Sequence, residues 1–213
     1  LGSTPATQGL SEFPMITAPG IGTYQNDPVQ KQGTGGDDGY LQDSAAGTMD
    51  DGVAGGTDWV NNASTQQALL GVFNGAFYID NTTKKPTWAN FVAASQAFGT
   101  NYNTGSTDGI GFVNDNPFQE YVVKADAAIT IAKMMYTLTY AINDGATGTA
   151  GTDELSGQSL ITLDIGSETA AGAGQKMFNI VRVANDPLNA DNSAANSNVV
   201  VKFAPGSIGS LSY

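Results

Sequence analysis

The architecture turns on Ala68-Leu69-Leu70-Gly71-Val72-Phe73-Asn74-Gly75-Ala76-Phe77-Tyr78-Ile79-Asp80. Side chains in a strand alternate between two faces, and here both faces are apolar. Leu69, Phe73, Phe77 and Ile79 fall on one, Leu70, Val72, Ala76 and Tyr78 on the other. Such a strand needs cover on both sides, which places it inside a barrel or sandwich. Gly71, Asn74 and Gly75 are weak helix formers and no caps flank the run, so a helix fits poorly. The glycines leave room for a neighbouring backbone or mark a bulge. A continuous bulged strand is the first expectation. The second is a two-residue hairpin turn at Asn74-Gly75 between Leu69–Phe73 and Ala76–Asp80.

The surroundings point the same way. Asn26-Asp27-Pro28-Val29-Gln30 starts a short strand after a turn, and Tyr40-Leu41-Gln42 follows the glycine-rich run Gly33 to Gly39. After the central strand, Asn81 to Pro86 reads as a turn and Thr87 to Val92 as the strand that pairs back, with Trp88 and Phe91 as core or rim aromatics. Further strands are expected at 109–113, 118–125, 136–142, 159–164, 177–184 and 198–204. The turn Asn114-Asp115-Asn116-Pro117 and the break Asn185-Asp186-Pro187 separate some of them. Ala127, Ala128, Ile131 and Met135 recur at helical spacing, so a short helix of one or two turns is expected within 125–135. The fold class is therefore all-β: a single β-barrel or β-sandwich, jelly-roll or tulip-like, of about eight or nine short strands with one short helix.

Residues 1–26 scatter Leu10, Phe13, Met15, Ile16, Ile21 and Tyr24 among Pro5, Pro14 and Pro19, with too many breakers for a helix or a central strand. They are expected to form an extended N-terminal arm, with 27–213 as a single β domain. Area scaling supports one real core, since about 70% of the unfolded surface is buried at this mass. Gly 27 and 13% charged residues fit many turns between short strands.

Chemistry is sparse. Without cysteine there is no disulfide or thiolate, and without histidine the commonest general base and metal ligand is gone. The run Gly33-Thr34-Gly35-Gly36-Asp37-Asp38-Gly39 lacks the Lys-Ser/Thr of a phosphate loop, and its aspartates repel phosphate. The loop 43–66 carries Asp43, Asp50, Asp51 and Asp58 without the alternating pattern of a calcium loop. Trp59 is the peg of that loop, seated in its own barrel or in a neighbour. No catalytic, cofactor-binding or metal-ligating residue is nominated. The net charge of −12 disfavours nucleic acid and anionic membrane surfaces as partners. No apolar run reaches the roughly 18 residues that span a bilayer. Leu1-Gly2-Ser3-Thr4 shows no signal-peptide pattern.

Asn26-Asp27-Pro28-Val29, Leu69-Leu70-Gly71-Val72-Phe73-Asn74-Gly75 with Tyr78, and Asn114-Asp115-Asn116-Pro117-Phe118 ahead of Val122 to Ala125 together resemble a family of tailed-bacteriophage head proteins. Asp186-Pro187-Leu188-Asn189 and the closing Asn198-Val199-Val200-Val201-Lys202-Phe203 extend the resemblance over roughly residues 24–204. This chain has Asn26 where the family usually has Gly, and longer loops at 43–66 and 143–157. The resemblance implies a head decoration or cement-like structural protein on the capsid exterior. Its partners would be the major capsid protein and itself, as dimers or trimers on local symmetry axes. Leu10, Phe13, Met15, Ile16 and Ile21 of the arm, with Trp59, are the expected contact residues. Alternatives are a tail or fibre-associated component, or an extracellular β-rich adhesin or sheath subunit. An enzyme built on a carboxylate pair is a third class, with little specificity when Asp and Glu number 20.

Overall fold

A computed structural model describes residues 9–19, 22–31, 40–43, 69–135, 137–143, 152–153, 156–170, 176–186, 189 and 195–204. In chain order the first strands are β1 (Leu10–Met15), β2 (Thr23–Tyr24), β3 (Pro28–Lys31), β4 (Leu41–Asp43), β5 (Leu69–Ile79), β6 (Pro86–Ala89), β7 (Phe91–Val92) and β8 (Gly109–Asn114). The rest are β9 (Glu120–Ala125), β10 (Leu138–Asn143), β11 (Thr152–Asp153), β12 (Gln158–Ser159), β13 (Thr162–Ala170), β14 (Phe178–Val183) and β15 (Asn198–Phe203). The fold is all-β. Among the described residues the helical reading of 125–135 contracts to a single 3-10 turn, Ile131–Met134. Ala125 closes β9 instead, and Ile131 faces water, so no apolar helical stripe is buried there.

The strands gather into two compact units. The chain passes between them more than once, so no single linker marks the division. The first unit takes its described residues from Leu1–Ser44, Leu69–Asn116 and Thr152–Ser159, the second from the remainder.

The first unit holds a curled sheet in the order β1-β8-β5-β3-β4, with β6 added on β5. Two small pairs, β2 with β7 and β11 with β12, complete it. β5 is the continuous strand, not the hairpin, and its ladder with β8 slips between Phe73 and Gly75. That bulge changes which side chains share a face. Strict alternation puts Phe73 and Phe77 together, yet Phe73 is 0% exposed and Phe77 37%. Phe73, Ala76 and Tyr78 enter the core with Met15, Val29 and Val113. The expectation that β5 is covered on both sides therefore fails over its C-terminal half: one extra residue turns Phe77 outward.

Leu10–Met15, expected within the arm, is a six-residue strand paired antiparallel with β8 from Leu10 opposite Asn114 to Met15 opposite Gly109. Phe13 and Met15 alternate into the core, while Pro14 is tolerated because β1 ends the sheet. Lys31 Nζ lies 5.3 Å from the centre of the Phe13 ring.

The second unit is a closed barrel, β10-β13-β9-β15-β14. β13 joins β9 in parallel and the other ladders are antiparallel. Val199, Val201, Leu163, Ile165 and Tyr140 are buried, and Phe178 stacks on Phe203 with ring centres 5.1 Å apart. The Tyr140 hydroxyl donates to the Lys133 carbonyl at 2.7 Å, and Lys133 Nζ meets Glu168 at 2.8 Å, which fixes the 3-10 turn.

Candidate interaction face

The outward side of the first unit's sheet carries an apolar row. The register aligns Trp88 of β6 with Phe77 of β5, Phe77 with Ile110 of β8, and Ile110 with Pro14 of β1. Four adjacent strands thus place one apolar side chain each on a single line. Trp88 is 52% exposed, Ile110 37% and Pro14 is exposed too. Single exposed apolar residues are ordinary; a contiguous set is a candidate contact surface.

Each member is held by its neighbours. Phe112, one rung along β8, packs against Trp88 with ring centres 4.9 Å apart and planes tilted by 49°. Phe112 sits opposite Gly75, and a Cβ on Gly75 would come within 2.7 Å of Trp88 Cζ2 and 2.9 Å of the Ala89 carbonyl. Gly75 also has φ +144°, where side-chain-bearing residues are strained. The bulge glycine therefore does two things: it turns Phe77 outward and makes the recess where Trp88 lies.

The rim is charged and ordered. The turn after β5 is pinned by Asp80, whose Oδ1 accepts from Thr83 N–H at 2.6 Å, Thr83 hydroxyl at 2.8 Å and Thr82 N–H at 3.1 Å. Those bonds, Thr83 foremost, hold its carboxyl below the usual range, with Lys84 adding to the effect. Lys84 and Lys85 are exposed in the same turn. Because β8 runs antiparallel to β5, the exposed Asp108 just before β8 lies at this end of the sheet as well. Its Oδ2 accepts from the Tyr40 hydroxyl at 3.0 Å. Glu12, opposite Phe112 on β1, is exposed towards the other end.

One buried acid has a strongly perturbed proton affinity. Asp27 is 1% exposed, and burial pushes its carboxyl up from 3.8 to about 6 against the pull of Ser159 and the Tyr24 backbone. Its Oδ2 accepts from Tyr24 N–H at 2.7 Å, and its own N–H donates to the Tyr24 carbonyl at 3.0 Å. Asn26 N–H reaches the Phe73 carbonyl, and Phe73 N–H the Asp27 carbonyl, both at 2.8 Å. Asp27 thus ties the β2–β3 turn to the centre of β5. Sealed from solvent, it forms a seam within the first unit. Among the described residues no set of three or more acidic side chains is grouped to hold a metal ion.

The residues expected to make contacts are dispersed. Met15 is 0% exposed inside the core, and Phe13 packs against that core. Leu10 and Ile16 are half-buried, and Ile21 and Trp59 lie outside the described residues, as do the glycine-rich run 33–39 and most of the loop 43–66. Phe91, expected like Trp88 to be a core or rim aromatic, stacks on Tyr24 with ring centres 5.5 Å apart. The row that does face water was hidden because it forms only across strands. Its one sequence signal was the even spacing of Pro86 and Trp88 beside a strand with a central Asn-Gly. No protein-family model, curated protein or solved structure matches this chain.

Proposed function

We propose that this chain is a virion structural protein, a capsid decoration or cement protein of a tailed-bacteriophage head. It binds the outer capsid surface, its partners are the major capsid protein and further copies of itself, and it strengthens the junctions between capsid subunits. Its body is a variant of the jelly-roll or tulip-like β folds used for such work.

The observation that carries the reading is the exposed row Trp88, Phe77, Ile110 and Pro14 on a stiff sheet. A cement protein works through buried area, at about 25 cal/mol per Å² of apolar surface, and a patch repeated over a shell adds up. The net charge of −12 favours a place outside the shell, away from packaged DNA. The test mixes purified protein with undecorated shells. Saturable binding and greater resistance to heat and dilution are expected; shells that stay bare and no more robust sink the reading. The exposed Trp88 ring also suits stacking on a sugar, which favours the adhesin alternative, and glycan-array binding abolished by Trp88→Ala would decide for it.

A further inference from the structure

We propose that the apolar face of the first unit packs against the same face of a second copy, about a two-fold axis lying in the face and running along the strands between β5 and β8. Such an axis reverses the row. Trp88 then meets the mate's Pro14, and Phe77 meets the mate's Ile110, so every apolar side chain of the row finds an apolar partner. It reverses the order of strands but not their ends. Lys84 and Lys85, in the turn at one end, therefore come to the side of the mate's Asp108, exposed at that same end. The face is complementary to itself in the order of its apolar side chains and, at the Asp108 end, in charge, as an isologous interface requires. A ring on the proline of a mate is a favourable apolar contact, and the Asp80 hydrogen bonds fix the backbone of the turn that carries the lysines.

Size sets the strength. The exposed parts of these side chains amount to on the order of 300–400 Å² of apolar surface per copy. That is well below the roughly 800 Å² per partner of a stable complex, so the pair is weak and depends on concentration. Free copies would pair when concentrated and not when dilute; a capsid surface seated on the same row would compete with the pairing. The pairing rests on reading this face as a contact surface and not on the capsid assignment.

Two measurements test it. Sedimentation of the wild-type chain should show the 21.9 kDa monomer near about 5 µM and a weight-average mass approaching twice that by about 500 µM. Asp108→Lys should weaken pairing about tenfold, and adding Lys84→Glu and Lys85→Glu should restore it, which a merely structural role would not do. The second measurement uses the absence of cysteine. Within one chain, positions 14 and 88 are three strand spacings apart, about 14 Å, too far for an internal disulfide. The Pro14→Cys/Trp88→Cys variant should form a covalent dimer on mild oxidation, in at least tenfold excess over either single variant. A chain that stays monomeric at 500 µM, or a double variant that crosslinks no better than the singles, overturns the pairing. Shell binding by such a monomeric chain would leave the capsid reading standing; a dimer that ignores shells would sink the capsid reading and keep the pairing.

Discussion

Gly75 decides more than any other single residue. Its positive φ and the 2.7 Å approach of Trp88 both exclude a side chain. Gly75→Ala is expected to cost about 1–3 kcal/mol and to move the Trp88 ring out of its recess. Denaturant midpoints and tryptophan emission would read the two effects; an unchanged midpoint would show that the recess is not under strain. Asp27 makes a prediction of opposite character. Because its carboxyl is raised to about 6 in the native state, the folded chain holds that proton more tightly than the unfolded one. Its contribution to stability is full below about pH 4 and declines as pH rises to about 6, by roughly 3 kcal/mol for a shift of about two units. Asp27→Asn should remove that decline, so its stability relative to wild type should improve between pH 4 and 7 and level off above. A difference that stays flat with pH would contradict the seam as described.

At the scale of elements, strands with β-branched or aromatic alternation were legible in the sequence. β15, with Val199, Val200 and Val201, and β8, with Ile110 and Val113, are where their patterns put them. β1 was not legible, because Pro14 and the flanking prolines mimic an irregular arm, and only pairing with β8 gives Phe13 and Met15 an inside. β13 extends to Ala170 through Asp164-Ile165-Gly166-Ser167-Glu168, where polar contacts replace apolar alternation. Ser167 N–H and Gly166 N–H donate to Asp164 Oδ1, and the Ser167 hydroxyl accepts from Ala141 N–H at 2.8 Å, beside the slip in the β10–β13 ladder. Such a device leaves no hydrophobic trace. The integration of β1 is testable: Met15→Ala should cost about 2–5 kcal/mol, the range for emptying a packed site. A loss below about 0.5 kcal/mol would return residues 10–15 to the status of an arm.

For the whole molecule, the all-β class followed from β5 and its neighbours, whereas the contact face did not. The face depends on one bulge and on which strands are adjacent, and neither is written in local periodicity. The first unit carries an apolar row exposed on its sheet, and the chain carries twelve net negative charges that favour its dispersal. Under the proposed function, this row makes the contact with the capsid. The most direct test is a binding isotherm on undecorated phage shells for the wild-type chain and for a Trp88→Ala/Ile110→Lys variant whose unfolding midpoint matches wild type. Saturable wild-type binding and a loss of at least tenfold in the variant are expected, because many weak contacts act together on a lattice. Equal binding by the two proteins, or no wild-type binding, would contradict that role.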